Sequence, residues 1–264
     1  MKCKMILSKK DALITIGCLV FVLLNLAAIG NTGRNKAKEI ICLSNMKQWH
    51  QIFTAYANDN SGFFPPDYYY GNFSRCNWWQ VLEPYYKDRN MLLCPSAIKV
   101  RNVNPSGVPY SNDEGGVQPY CSSLSVDYKI SYCFNGWMSS ESENLAPLYG
   151  RRWTNINTLL QPHTIPLIGD STEYPKKFPL AYTLPPAYRN QLATSTMDRL
   201  IEFCIDRHGP AKDPYINSAF ADGSARNVGL KELWVLNWHR NWQQEHQENP
   251  VTWPQWMQDF TDYE

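Results

Sequence analysis

The chain has 264 residues, 25 Lys and Arg against 24 Asp and Glu, a formal net charge of +1 and 44% hydrophobic residues. That near-neutral balance argues against nucleic acid as a partner, because phosphate binding depends on clustered positive charge. Setting aside the N-terminal segment described next leaves roughly 200 residues, enough for one domain with a real core.

Eighteen consecutive residues, Ala12 to Ile29, carry no charge. At 1.5 Å per residue they make roughly 27 Å of helix, just enough to cross a bilayer's hydrocarbon core. A cleaved leader would need a small-x-small site after the apolar run, and Ala27-Ala28-Ile29-Gly30-Asn31 offers only a poor one. The expectation is a cytoplasmic tail over 1–11, a transmembrane helix over 12–29 and an extracytoplasmic domain over 30–264. The second half of the same long helix is expected over 30–61. There Ala37, Ile41, Met46, Trp49, Phe53 and Tyr56 recur at gaps of three to five, as on one helical face. Arg34, Lys36, Lys38, Glu39, Lys47 and Gln51 are expected on the wet face. Gly30 and Gly33 are candidate bends, and Gly62 suits the left-handed position past a helix end.

Lysines 2, 4, 9 and 10 precede the apolar run and Arg34, Lys36 and Lys38 follow it, so charge gives only a slight orientation bias. Cys42, Cys76, Cys94, Cys121, Cys133 and Cys204 lie after the run, without CxxC clustering. An even, scattered set reads as disulfides, with buried thiols as the alternative, and disulfides place the domain in the periplasm or beyond. Cys3 and Cys18 fall in the tail and the span.

From Phe63 to Leu160 the chain is dense in turn signals such as Phe64-Pro65-Pro66-Asp67 and Asn112-Asp113-Glu114-Gly115-Gly116. Strand-like runs appear at Val126–Phe134, Thr164–Ile168 and Ile216–Ala221. Trp78–Tyr86 reads as a short helix and Lys231–Trp242 as a longer one. The predicted class is α+β: a long N-terminal α-helix against a small antiparallel sheet with long loops. The 10 Trp and 16 Tyr either fill a loop-rich interior or present rings for protein contacts or sugar stacking.

Catalytic templates are absent: the sequence has no GxSxG elbow, HExxH or GxxxxGK[ST] loop, and no catalytic residue is assigned. Asp170, His208 and Asp222 form a candidate metal or structural polar site, since carboxylates with an imidazole suit a divalent ion. The competing reading makes Asp222-Gly223 a tight turn between strands. Asp59-Asn60-Ser61-Gly62 reads as a helix C-cap, His50 has Thr54 as its neighbour one turn on, and His239 is expected to pack rather than catalyse. No cofactor is required, a divalent ion such as calcium being the one candidate.

Six segments in order carry a resemblance. They are Cys42-Leu43-Ser44-Asn45-Met46-Lys47-Gln48, Tyr56 to Pro65, Leu93-Cys94-Pro95-Ser96, Ile168-Gly169-Asp170-Ser171, Arg207-His208-Gly209 with Ala219 to Ser224, and Leu230 to His239. Together they resemble type IV pilin-like and type II secretion pseudopilin-like proteins, in particular the planctomycete-type family with an H-X9-DG processing-associated C-terminal region. Two positions depart from that pattern. Lys10 and Thr15 stand where the prepilin-type N-terminal region has its peptidase-site glycine and its glutamate, so the site is degenerate. Thirteen residues rather than nine separate His208 from Asp222, the added Pro210 to Pro214 suggesting a longer hairpin loop.

The resemblance implies a non-enzymatic, single-pass inner-membrane protein with its large domain in the periplasm or outside the cell. In that reading it is a structural or accessory subunit of a secretion or surface-fibre system, and its partners are the membrane and other pilin-like subunits or the secretion apparatus. It also implies a Cys42–Cys94 disulfide, which would close about 50 residues and contribute on the order of 4 kcal/mol. Cys76, Cys121, Cys133 and Cys204 then allow three pairings. The alternatives are an anchored carbohydrate- or metal-binding module and an anchored metal-dependent hydrolase.

Overall fold

The computed structural model describes residues 8–66, 78–97, 120–121, 129–140, 150–171, 176–177, 179–191 and 200–263, with the backbone alone at 24–29, 31, 120–121, 129 and 176–177. One helix dominates it. Helix α1 (Lys9–Asp59) runs unbroken for 51 residues, through Gly30 and Gly33, and is roughly 76 Å long. Its start is a capping box: Ser8 Oγ accepts from the Asp11 N–H and the Asp11 carboxylate accepts from the Ser8 N–H, both at 3.2 Å. It ends where Ser61 (φ 55°) and Gly62 (φ 84°) turn left-handed, and the Gly62 N–H returns to the Ala57 carbonyl at 2.7 Å.

The two halves of α1 differ in what surrounds them. Leu13, Ile14, Ile16, Leu19, Val20, Phe21, Val22 and Leu23 are all exposed. Among the described residues no helix is long and apolar enough to cross a membrane; the side chains of 24–29, inside the uncharged run, are not among them. From residue 39 onward one face is buried, at Glu39, Cys42, Met46, Trp49, Phe53 and Ala57. This face is rotated from the one expected: Ala37 and Ile41 are exposed, and Glu39 is buried. Counting only apolar positions skipped Glu39 and Cys42, the two residues that define the seam.

The sheet lies under that face. Strands β3 (Tyr132–Asn135), β4 (Pro166–Asp170), β6 (Tyr215–Phe220) and β7 (Ala225–Gly229) are antiparallel in the order β3-β4-β6-β7, and β5 (Lys176–Lys177) adds parallel to the free side of β3. A separate pair joins β1 (Tyr120–Cys121) to β2 (Lys129–Ile130). The fold is α+β. Period-two alternation sorts side chains between two layers. Tyr132, Phe134 and Ala219 face α1 together with Trp78 and Trp79 of α2 (Trp78–Val81). Cys133, Ile216, Phe220 and Val228 face the other side, where the C-terminal segment covers them with Leu233, Trp234, Trp238, Trp242, Met257 and Phe260. The expected runs at 126–134, 164–168 and 216–221 become β2 with β3, β4 and β6; residues 126–128 lie outside the described set. The hairpin partner β7 had no sequence signal of its own.

The helix expected over Lys231–Trp242 does not form. A single 3-10 turn spans Glu232–Trp234, and α3 (Trp242–Glu248) begins only where the expected helix ends. The indoles explain it. Trp238 Nε1 donates to the Leu233 carbonyl and Trp242 Nε1 to the Trp234 carbonyl, each at 2.7 Å, taking acceptors a helix would use. Eight of the ten tryptophans are buried and Trp253 and Trp256 are half-buried, so the indoles serve mainly the interior.

Two outcomes follow. Trp49 meets Trp78 and Tyr86 edge-on at 4.9 and 5.0 Å and donates to the Met91 carbonyl at 2.7 Å. Trp49→Ala should cost about 3–5 kcal/mol in denaturant unfolding of the detergent-solubilised chain, and exposed Ile41→Ala within about 0.5 kcal/mol. His239 is fully buried between Trp137 and Trp242, and burial followed by the Arg151 charge lowers its pKa to about 3. Glu245 lies 3.6 Å away, too far for a hydrogen bond, and is held instead by Arg151 at 3.0 Å. The native ring therefore refuses a proton that the unfolded chain accepts below about 6.5. Its contribution is complete above that pH and is lost as pH falls toward 3. Urea midpoints should drop between pH 7 and pH 5, and less steeply in His239→Phe.

Candidate metal centre

Four side chains from four distant segments converge beneath α1. Cys42 sits on the buried seam of the helix. Cys94 follows the 3-10 turn Arg89–Leu92, in a loop pinned to the sheet by Ser131 N–H to the Leu92 carbonyl (3.0 Å) and by Cys94 N–H to Ser131 Oγ (2.6 Å). Asp170 ends β4 opposite Tyr132, and that register turns both side chains toward the helix. His208 is held by a two-bond bridge to Tyr215, each bond 3.0 Å, which closes the loop over 209–214 and supplies the longer hairpin expected there. Gly209 (φ 83°) makes that turn, where a side chain would strike the Tyr215 ring.

All four are buried, and one donor atom from each lies within 4.8 Å of every other. Cys42 Sγ is 3.6 Å from both Asp170 oxygens. His208 Nε2 is 3.2 Å from Asp170 Oδ2 and 3.4 Å from Cys94 Sγ. An outer ring supports them. The Asn217 N–H donates to Asp170 Oδ2 (2.9 Å), the Ser96 N–H to Cys94 Sγ (3.4 Å) and the Tyr132 hydroxyl to Cys42 Sγ (3.5 Å). Asn45 Nδ2 donates to the Tyr132 hydroxyl and to the Leu93 carbonyl, both at 3.3 Å. Beside this ring, Glu39 accepts from Tyr215 Oη (3.1 Å) and Asn227 Nδ2 (3.2 Å), while Asn217 Nδ2 reaches the Glu39 carbonyl.

Ionisation is divided unevenly. Burial and the neighbouring thiol and carboxylate push Cys42 well up. Burial opposes ionisation of Cys94 too, but hydrogen bonds from Cys42 and His208 and the Arg207 charge bring it down to about 6. Burial works against the charged forms of Asp170 and His208, yet each favours the other's charge, lowering Asp170 and raising His208 to about 9. The cluster thus sets anions and a cation side by side among buried side chains.

As a nucleophile–base pair the arrangement fails on geometry. Asp170 and Cys94 meet the same nitrogen of His208, whereas an orienting carboxylate must hold the opposite one. Cys94 is 1% exposed and out of a substrate's reach. An open cavity of about 420 Å³, bordered by Lys36, Lys38, Glu39, Ser96, Arg207 and His208, reaches only the outer side of the cluster. As a metal donor set, two thiols, an imidazole and a carboxylate fit a soft-to-borderline cation.

The sequence-predicted set is only partly assembled. Asp170 and His208 meet; Asp222 does not join them. Its Oδ1 accepts from the Ser224 N–H (2.9 Å) and hydroxyl (2.7 Å), and with Gly223 (φ 89°) it makes the β6–β7 hairpin turn, against which His50 packs with Nε2 3.3 Å from the Ala221 carbonyl. Cys42 and Cys94, expected as a disulfide, are free thiols supplying the site's two sulfurs. Cys133 and Cys204 are free and buried on the opposite face of the sheet, while Cys76 and the Cys121 side chain lie outside the described residues. Asp59, expected at the helix C-cap, is the last residue of α1 and accepts from the Tyr85 hydroxyl at 2.9 Å. Sequence reasoning missed the two thiol ligands because no pair of donors is close in the chain. The available signal was that Cys42, Cys94, Asp170 and His208 each lie in a different one of the six resembling segments. Comparison with protein-family models, curated proteins and solved structures finds no match to this chain.

Removing Asp170 leaves His208 buried without its carboxylate, so Asp170→Ala should cost about 3–5 kcal/mol in urea unfolding. Asp222→Ala removes only a turn contact and should cost about 1 kcal/mol or less.

Proposed function

We propose that this chain is a membrane-anchored, pilin-like structural or accessory subunit of a secretion or surface-fibre assembly, with its head in the periplasm or outside the cell. One observation carries the reading: a single helix joins an exposed apolar segment to a face buried on an antiparallel sheet. Exposed contiguous apolar side chains need a covering environment, and the uncharged run over 12–29 is the length a bilayer takes. The six ordered segments point the same way. With Cys42, Cys94, Cys133 and Cys204 free, the disulfide argument for an outside head loses those four cysteines, and the orientation proposed here rests on the resemblance. Thr15, in place of the pilin-type glutamate, donates to the Asp11 carbonyl at 2.8 Å and needs no charged partner in lipid. The donor cluster favours a second reading, an anchored metal-binding module, which is compatible with the first.

The test is fractionation of cells expressing the full chain, with N-terminal sequencing. Retention in carbonate-washed membranes with Met1 to Lys10 intact is the expected result. A soluble head lacking residues 12–29 would overturn the anchor. Oxidation of those membranes should give a dimer linked through Cys18, absent in Cys18→Ser; a chain that stays monomeric would remove the subunit reading and leave the anchor standing.

A further inference from the structure

We propose that Cys42, Cys94, Asp170 and His208 bind one zinc ion, which clamps α1 to the sheet at the point where the helix enters the head. The inference stands apart from the anchor and subunit reading, since it uses only the buried half of the helix.

Distances are the first support. Bond lengths of about 2.3 Å to sulfur and 2.0–2.1 Å to nitrogen or oxygen put tetrahedral ligand edges at about 3.6 Å for sulfur to nitrogen or oxygen and about 3.4 Å for nitrogen to oxygen. The observed edges are 3.6 Å from Cys42 Sγ to Asp170, 3.4 Å from Cys94 Sγ to His208 Nε2, and 3.2 Å from His208 Nε2 to Asp170 Oδ2. These three of the six edges stand close to the separations a tetrahedral ion requires, and the other three pairs lie within 4.8 Å.

Proton bookkeeping is the second support. His208 Nε2 faces both a carboxylate oxygen and a sulfur, and one N–H cannot be directed at both. A cation at the centre takes the imidazole lone pair, the carboxylate and two thiolates together, and every proton held on those donor atoms, on sulfur or on Nε2, leaves to solvent as it binds. Without it, a carboxylate and two sulfurs share a buried site with a single imidazole.

The outer ring is the third. Ser96 N–H to Cys94 Sγ, Tyr132 Oη to Cys42 Sγ and Asn217 N–H to Asp170 all donate toward ligand atoms, as the supporting shell of a metal–thiolate site does. Two sulfurs rule out calcium and magnesium, which take oxygen; four protein ligands in a buried, closed shell mark a structural rather than a catalytic zinc.

The test uses the full chain, purified in detergent from zinc-supplemented medium without chelator or reductant. Plasma mass spectrometry should find one zinc per chain, and cobalt exchanged into the site should show a thiolate-to-cobalt charge-transfer band. Iodoacetamide should modify Cys42 and Cys94 only after a chelator is added. Cys42→Ser and His208→Ala should lose the zinc, while Asp222→Ala, the residue the turn removes from the site, should keep it. Because the ligand variants can fail to fold, the metal content and cobalt spectrum of the unaltered chain decide independently. Absence of zinc, a different metal in the site, a Cys42–Cys94 disulfide in the intact mass, or zinc retained by folded Cys42→Ser would each overturn the proposal.

Discussion

Glu39 and Cys42, one helical turn apart, bring a carboxylate and a thiol into an interface where a helix ordinarily buries carbon. Burying such groups without partners costs several kcal/mol, so their partners must be in place before the helix can settle on the sheet. Those partners come from everywhere else in the head: Tyr215 and Asn227 for Glu39, Asp170 for Cys42, and Asn217 bridging the two through its backbone and side chain. The polar seam therefore selects one rotation of α1. A helix rotated to bury Ala37 and Ile41 would have left Cys42 without Asp170 and Glu39 with Lys36, its neighbour on the helix, as its only partner among these.

The same seam explains what the sequence made legible and what it did not. The long helix, its Gly62 terminus, the α+β class and three of the four antiparallel strands follow from apolar period and turn chemistry, which are local. Asp222-Gly223 as a hairpin turn was likewise available, because an Asx side chain with a following Gly encodes that turn by itself. The rotation of the helix was not available, since it depends on residues 128 to 188 positions away, such as Asp170 to Cys42 and Asn227 to Glu39. The failed helix at Lys231–Trp242 has a similar cause. Its apolar spacing was helical, but indole donors spent on backbone carbonyls outcompeted the helical ladder, and spacing carries no information about that contest.

Two layers of aromatic rings flank one small sheet, and their difference is instructive. On the α1 side, Trp49, Phe53, Trp78 and Phe134 pack ring to ring over a surface the helix supplies. On the far side the described residues form no long element, and coil and 3-10 turns are held by indole N–H groups reaching the Thr183, Leu233, Trp234 and Pro179 carbonyls. Tryptophan suits that role because it supplies apolar area and one directed donor together. The tryptophans thus belong mainly to an interior built in part from loops.

The position of the donor cluster along α1 bears on how the proposed anchor and the head work together. Burial of the helix begins at Glu39, so residues 9–38 project as a lever of roughly 45 Å. Any force on that lever is felt first at the turn where it leaves the head, and helices peel from their ends, each local opening costing only the contacts it breaks. Apolar area grows gradually along the seam, with Met46, Trp49 and Phe53 all beyond the neck. The contacts at the neck are instead the buried carboxylate of Glu39 and the Cys42 donor, whose loss exposes or orphans several polar groups together. A metal clamp placed there would make detachment begin with the loss of several polar contacts together rather than of apolar area alone.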